Sequence, residues 1–148
     1  MLGFETACTH WETILTDFAK NLSGGKIAAL ENTEWEFSKQ KIGVCEPEED
    51  GKKKRCRAMD CRTEVYLENK DAEIIWNSFE RFSIECGLGE IERLKNNEEI
   101  GRYQFDAKCN DTGDEFSVSV ILPGEWNVAP AVSLWAWIGA RYRNIDLQ

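Results

Sequence analysis

Two runs of alternating residues, 100–109 and 116–122, limit the fold of this chain more than any other feature of its sequence. Apolar side chains recur at every second position in both runs, which is typical of strands with one buried face. The residues between them, Asn-Asp-Thr-Gly-Asp at 110–114, are turn formers. We therefore predict an antiparallel hairpin whose buried positions are Tyr103, Phe105, Ala107 and Cys109, then Phe116, Val118, Val120 and Leu122.

Two other stretches have the periodicity of amphipathic helices. The first spans residues 4–22, and the second runs from a predicted cap at Asn69 or Asp71 to about Cys86. A glycine at position 87 or 89 ends the second helix. The predicted buried stripes are Trp11, Leu15, Phe18 and Leu22 in the first helix, and Ala72, Ile75, Trp76, Phe79, Phe82 and Cys86 in the second.

The remaining extended segments complete a sheet. Residues 33–44 alternate with a change of phase, which predicts a bulge near Lys39–Lys41, and residues 56–67 form a second strand. Residues 91–94 form a short strand or a turn. Residues 132–138 are apolar on both faces, as in a central strand, although Pro130 also suits the start of a helix, and we favour the strand for 130–142.

This order of elements predicts an α+β fold with an antiparallel sheet of about five strands and two helices packed on one face. The 148 residues fit a single globular domain, 1–148. Within it, residues 1–31 form an N-terminal helical segment and residues 32–148 form a strand-helix-sheet core.

The charge balance limits the partners. Twenty-seven acidic residues face eighteen basic ones, for a net charge of −9. Such a chain repels nucleic acid and anionic membranes and attracts a basic protein surface. No stretch approaches the roughly 18 apolar residues of a membrane span. Residues 1–5 lack the pattern of a secretory signal, so we expect the cytoplasm; an extracytoplasmic location is the alternative if a signal was trimmed.

The groups needed for catalysis are scarce. His10 is the only histidine and is expected at the surface, and no glycine-rich phosphate loop occurs. The acids Glu34, Glu36 and Asp106 fall on solvated sheet positions. We therefore predict no enzyme activity and no cofactor, with a hydrolase that uses paired carboxylates as an alternative.

The cysteines Cys45, Cys56 and Cys61 cluster in sequence, but their spacing fits no common zinc site, so we predict no metal. Buried free thiols are the simplest account of most of the six cysteines. In an oxidising compartment, a Cys45–Cys56 or Cys45–Cys61 disulfide would close the charged loop at 45–55.

Tryptophans outside the helices have two interpretations each. Trp126 lies in a loop and is either a plug over the core or an interface anchor. Trp135 and Trp137 share one face of the last strand, and they belong either to the core or to an exposed aromatic patch at a sheet edge.

From residue 33 onward the layout resembles that of small actinobacterial LppA-like lipoproteins. The matching features are the Thr33–Val44 segment leading to Cys45, the helix with Trp76, the Gly87-Leu88-Gly89 turn and the final Gly139-Ala140-Arg141-Tyr142. The family usually has a cysteine near the position of Ala140, so its disulfide is not carried over to this chain. The resemblance implies an extracytoplasmic, non-enzymatic domain.

The function hypothesis combines the acidic charge with the lack of catalytic groups. It is a non-catalytic inhibitor or immunity-type protein whose acidic surface blocks a basic cleft on a protein partner, such as a nuclease, a toxin or a nucleic-acid-binding effector. A secreted or envelope-anchored binding domain of lipoprotein type is the alternative. The predicted contact residues are Glu46, Glu48, Glu49, Asp50 and Trp126.

Overall fold

The structure is a computed structural model that describes residues 2–38, 42–47, 53–124 and 128–147, with the backbone alone described for 42–47 and 53. Two long helices and seven strands occur within these ranges. The helices are α1 (Phe4–Ser23) and α2 (Asn69–Glu85). The strands are β1 (Glu36–Ser38), β2 (Ile42–Pro47), β3 (Lys53–Glu64), β4 (Gly89–Leu94), β5 (Arg102–Cys109), β6 (Asp114–Ile121) and β7 (Ala131–Arg141).

The seven described strands form one antiparallel sheet in the order β1-β3-β7-β6-β5-β4, and β2 also pairs with β3. The predicted fold class is confirmed, but the sheet has more strands than the five expected. The predicted strand at 33–44 is two strands, β1 and β2, and the bulge predicted at 39–41 lies outside the described residues. The short segment at 91–94 is part of edge strand β4. Strands this short give little alternation to read.

The hairpin and the last strand agree with the sequence analysis. β5 pairs with β6 in an unbroken register from Arg102 opposite Ile121 to Cys109 opposite Asp114. β7 is a strand rather than a helix, and it is central because β3 and β6 pair with its two sides. Its central position agrees with the prediction.

Both helices pack on the same face of the sheet, as predicted. Phe18 of α1 and Phe79 of α2 are fully buried, and both contact Phe116 of β6, with ring centroids 5.4 Å and 5.2 Å from it. The predicted stripe of α1 is buried along its whole length. Aromatic packing between the helices and the middle of the sheet therefore forms the core.

The ends of α2 differ from the prediction in one respect. The residue before the helix is Glu68, whose backbone N–H donates to Asp71 Oδ2 at 2.9 Å, so Asp71 acts from inside the first turn and neither it nor Asn69 is the N-cap. At the other end Gly87 adopts a left-handed conformation with φ of 77°, and Leu88 N–H donates to Ser83 O at 2.9 Å. This Schellman arrangement confirms Gly87 as the stop.

Arg93 of β4 attaches α2 to the edge of the sheet. Its guanidinium donates to both carboxylate oxygens of Glu73 on α2 and to Glu98, and only 13% of its side chain is exposed. The guanidinium carbon lies 5.8 Å from the Trp76 ring centroid and 5.7 Å from that of Tyr103. The contact combines ion pairing with cation–π attraction.

Candidate functional site

One face of the sheet is left uncovered by the helices and strands of the described residues. Along β7, buried side chains such as Leu134 and Ala136 point to the helices, and half-buried ones such as Ser133 and Trp135 point the other way. We call this second side the open face. Its residues include Ala58, Asp60 and Arg62 of β3; Ser133, Trp135 and Trp137 of β7; Glu115, Ser117 and Ser119 of β6; and Gln104, Asp106 and Lys108 of β5.

Trp135 and Trp137 occupy the middle of the open face. The sequence analysis placed them either in the core or at a sheet edge, and neither interpretation is right. They lie on a central strand, yet on the face that the described helices do not cover, and both are half-buried. Two indoles two residues apart thus form an aromatic strip on the face that no described helix covers.

A groove of about 510 Å³ runs across the strands beside Trp135. The pairing register puts Asp60 of β3 directly opposite Trp135, Ser117 of β6 on the other side of Trp135, and Asp106 of β5 next to Ser117. Directly opposed side chains have Cβ atoms about 5 Å apart. The groove therefore has an indole near its centre with carboxylates on both sides.

The carboxylates of the groove differ in their contacts. Asp106 Oδ1 accepts a hydrogen bond from Gln104 Nε2 at 2.7 Å, and a Glu115 oxygen lies 3.8 Å from Lys108 Nζ. Asp60 Oδ1 is buried and has no hydrogen-bond partner among the described residues. A buried carboxylate oxygen without a donor is costly, so Asp60 has unused capacity to accept a hydrogen bond.

A second charged cluster is buried beneath the helices. Asp114 accepts hydrogen bonds from Arg141 on both oxygens, from Trp11 Nε1 at 2.9 Å and from the Gly139 N–H at 2.8 Å. Arg141 Nε also donates to the Leu2 carbonyl at 3.1 Å, and the Phe4 N–H donates to the Tyr142 carbonyl at 2.9 Å. The carboxylate is fully engaged by the protein itself, so this cluster is structural.

A bulge in β7 brings Arg141 into that cluster. Arg57 pairs with Ile138 and Arg55 pairs with Arg141, so β7 advances three residues while β3 advances two. The extra residue turns Arg141 back to the helix side. The sequence analysis missed this ion pair, since Arg141 and Asp114 lie 27 residues apart and neither has a local pattern.

The predicted contact residues fall mostly outside the described residues. This is so for Glu48, Glu49, Asp50 and Trp126, and Glu46 is described by its backbone alone, at the end of β2. The contact set therefore stays a prediction. His10, expected at the surface, is exposed.

The cysteine prediction is also untested in part. Cys56 and Cys61 are free thiols, and the Cys45 side chain lies outside the described residues. The register puts Gly43 opposite Cys56 and Phe37 opposite Cys61. Burial raises the pKa of the Cys61 thiol to about 12, which makes it a poor nucleophile. In the described part of the chain, no group of three or more His, Cys, Asp or Glu is placed to hold a metal ion.

Comparison with known proteins gives one informative match. No family model and no curated protein matches the chain. Among solved structures, the candidate lipoprotein LppA from Mycobacterium tuberculosis superposes with a TM-score of 0.68 at 14% identity, over 99% of this chain and 82% of that one. The chain has an LppA-like fold. The resemblance found in the sequence is thus confirmed for the fold, which at this identity is all that it shows.

The LppA-like fold of this chain includes no described helix that is long and apolar enough to cross a membrane. The match spans nearly the whole chain, so both helices and the sheet belong to the shared fold. The similarity in fold carries no statement about the residues of the groove, because function depends on the site and not on the scaffold.

Proposed function

We propose that this protein is a non-catalytic binding domain that holds a protein partner on the open face of its sheet. The observation that carries the proposal is the position of Trp135 and Trp137, side by side on an uncovered central strand. Tryptophan provides a large, rigid contact area with few torsions to order, which is why it is enriched at the centres of interfaces.

The shape of the groove supports binding over catalysis. A hydrolase that works with two carboxylates places them about 5–10 Å apart across a cleft that encloses the substrate. Here the acids lie along one side of a sheet, and no described helix or strand closes a cleft over them. An extended, uncovered surface of this kind suits a macromolecule better than a small substrate.

An inhibitor or immunity-type role is the narrower form of this proposal. Its support is the net charge of −9 together with the acids of the open face, which would complement a basic cleft on a nuclease, a toxin or a nucleic-acid-binding effector. The acidic residues Glu46, Glu48, Glu49 and Asp50 add to that charge. Charge reversal at Glu48 and Glu49 is expected to slow association in a salt-sensitive way.

An envelope or secreted binding domain is the second candidate, and the LppA-like fold favours it. The two candidates differ in the redox compartment of the native protein. Six free thiols counted on protein isolated from its host without reductant would support the cytoplasm, and bridged cysteines would support export.

Affinity capture from the native host tests the proposal. Tagged wild-type protein is compared with a Trp135→Ala/Trp137→Ala variant and with Tyr66→Ala as the control. Tyr66 is an aromatic residue with 76% of its surface exposed, and it follows the end of β3 at Glu64, away from the residues that line the groove. The proposal expects a protein partner that is lost with the double variant and kept with the control. A partner retained equally by all three proteins would contradict it.

A further inference from the structure

We infer that the open face recognises an arginine side chain of its protein partner, with the guanidinium over Trp135 and beside Asp60. The inference rests on the proposed function and deepens it, since it names the chemistry that the open face takes. Three features of the groove carry it: the half-buried indole, the surrounding acids and the unsatisfied carboxylate oxygen.

The indole is the first feature. The backbone of Trp135 is held in a central strand by pairing with β3 and β6, so the position from which the indole projects is set before a partner arrives. A cation within about 6 Å of an indole face is attracted by the negative potential of the ring. Trp137, on the same face and opposite Ala58, extends the aromatic strip next to a small side chain.

The acids around the indole are the second feature. Asp60 lies directly across from Trp135 on one side, and Glu115, opposite Trp137, lies on the other side of β7. Asp106 adds a third negative charge at the far end of the groove. Lys108 is the one basic residue that lines the described groove, and it is drawn to Glu115. The groove therefore favours a positive ligand group.

The third feature is Asp60 Oδ1, which is buried and lacks a hydrogen-bond donor among the described residues. Asp60 as a whole is half-buried and lines the groove, so an N–H donor from outside would meet the accessible part of its carboxylate in a charge-assisted hydrogen bond. Ser117 and Ser119 offer hydroxyl groups on the opposite side of the indole. The groove thus has hydrogen-bond acceptors on both sides of the indole.

These features fit arginine better than lysine. A guanidinium is planar, stacks on an indole and still donates in its plane, whereas an ammonium group is a compact and strongly hydrated charge. They also fit an arginine held by a protein better than a free small molecule, because the groove is open along the sheet and encloses little.

Peptide titration monitored by NMR tests the inference on the intact chain. The probe is a glycine–serine peptide with a single arginine, and its matched control is the same peptide with citrulline, which has the same shape and no charge. We expect the arginine peptide to shift the indole N–H signals of Trp135 and Trp137 with a Kd of about 1 mM. The citrulline peptide is expected to bind at least about tenfold more weakly.

Two variants distinguish a direct contact with Asp60 from the general attraction of the negatively charged face. Asp60→Asn replaces the charged carboxylate by a neutral amide. It is expected to raise the Kd of the arginine peptide about tenfold. Glu64→Gln removes the same charge from the same strand and the same face, farther from Trp135, and is expected to change the Kd by less than about twofold. Circular dichroism of both variants establishes that they are folded.

Several outcomes would overturn the inference: equal binding of the arginine and citrulline peptides, equal losses with Asp60→Asn and Glu64→Gln, or free arginine binding as tightly as the peptide. The arginine inference can fail while the proposed function stands, and the partner captured from the host distinguishes the two results. If the double tryptophan variant loses its partner while Asp60→Asn keeps it with unchanged affinity, the open face is the binding surface but arginine is not what it recognises.

Discussion

Arg141 donates two hydrogen bonds to Asp114, from Nη1 to Oδ1 at 2.6 Å and from Nη2 to Oδ2 at 2.8 Å. Only 4% of the Arg141 side chain and 6% of the Asp114 side chain are exposed. The same carboxylate also binds the Trp11 indole. One buried anion thereby joins the first helix, the end of the β5–β6 hairpin and the end of β7.

Removal of that anion is expected to be costly. Asp114→Ala leaves the Arg141 charge buried without its partner, and we expect the free energy of unfolding to fall by about 3–5 kcal/mol in urea titrations. Asp111→Ala, at an exposed position of the same turn, is the control and is expected to change it by less than about 0.5 kcal/mol. Equal effects of the two variants would contradict the role given to Asp114.

Gly139 is expected to tolerate no side chain. A Cβ atom at this position would lie 2.3 Å from the Thr112 carbonyl oxygen, which belongs to the backbone of the hairpin turn. Gly139→Ala is therefore expected to lower the melting temperature and to cost about 1–3 kcal/mol. Gly89→Ala is the matched change in another strand, where the nearest atom lies 3.9 Å away, and should be tolerated far better.

The contact between Glu73 and Arg93 is expected to depend on pH. The hydrogen bonds from Arg93 lower the pKa of Glu73, so the contact stabilises the fold at neutral pH and its contribution is lost as the pH falls through the lowered pKa. Glu73→Gln should lower the free energy of unfolding by about 1 kcal/mol at pH 7, as measured by chemical denaturation. The difference from wild type should become smaller in acid. Glu80→Gln, exposed on the same helix, is the control, and a gap independent of pH would contradict the account.

Cys61 is expected to destabilise the protein in alkali. Burial raises its pKa from 9.0 to about 12, so above pH 9 the unfolded chain loses this proton while the folded chain keeps it. The thiol's contribution is complete below pH 9 and declines as the pH rises towards 12, by up to about 1.4 kcal/mol per unit.

The difference in the free energy of unfolding between wild type and Cys61→Ala should therefore decrease as the pH rises. Val118→Ala removes bulk from an equally buried site that does not titrate, and its gap from wild type should stay constant. Parallel behaviour of the two variants would rule out the thiol as the cause.

The elements whose sequence pattern repeats over several residues were predicted correctly. The stripes of α1 and α2 and the alternation of β5 and β6 each repeat over several residues, and each became the expected element. β1 has three residues, and β4 is interrupted by a register shift between Gly89 and Glu92, so neither offers enough repeats to define a strand.

The candidate site depends on relationships that no local pattern contains. Whether Trp135 is covered depends on how many helices pack against the sheet and on which side, and both helices here lie on the other side. The juxtaposition of Asp60 and Trp135 depends on a pairing between strands 75 residues apart (135 − 60). Composition showed an acidic chain rich in tryptophan, and it contained no sign of this arrangement.

The contacts of Arg141 with Leu2 and of Tyr142 with Phe4 join the start of the described chain to the end of β7. Linking the ends and reopening the chain at the exposed turn of Asn96 would create a circular permutant that retains these contacts. New attachment points would then lie beside edge strand β4, so that a label or a fused reporter could be moved to a second position on the molecule.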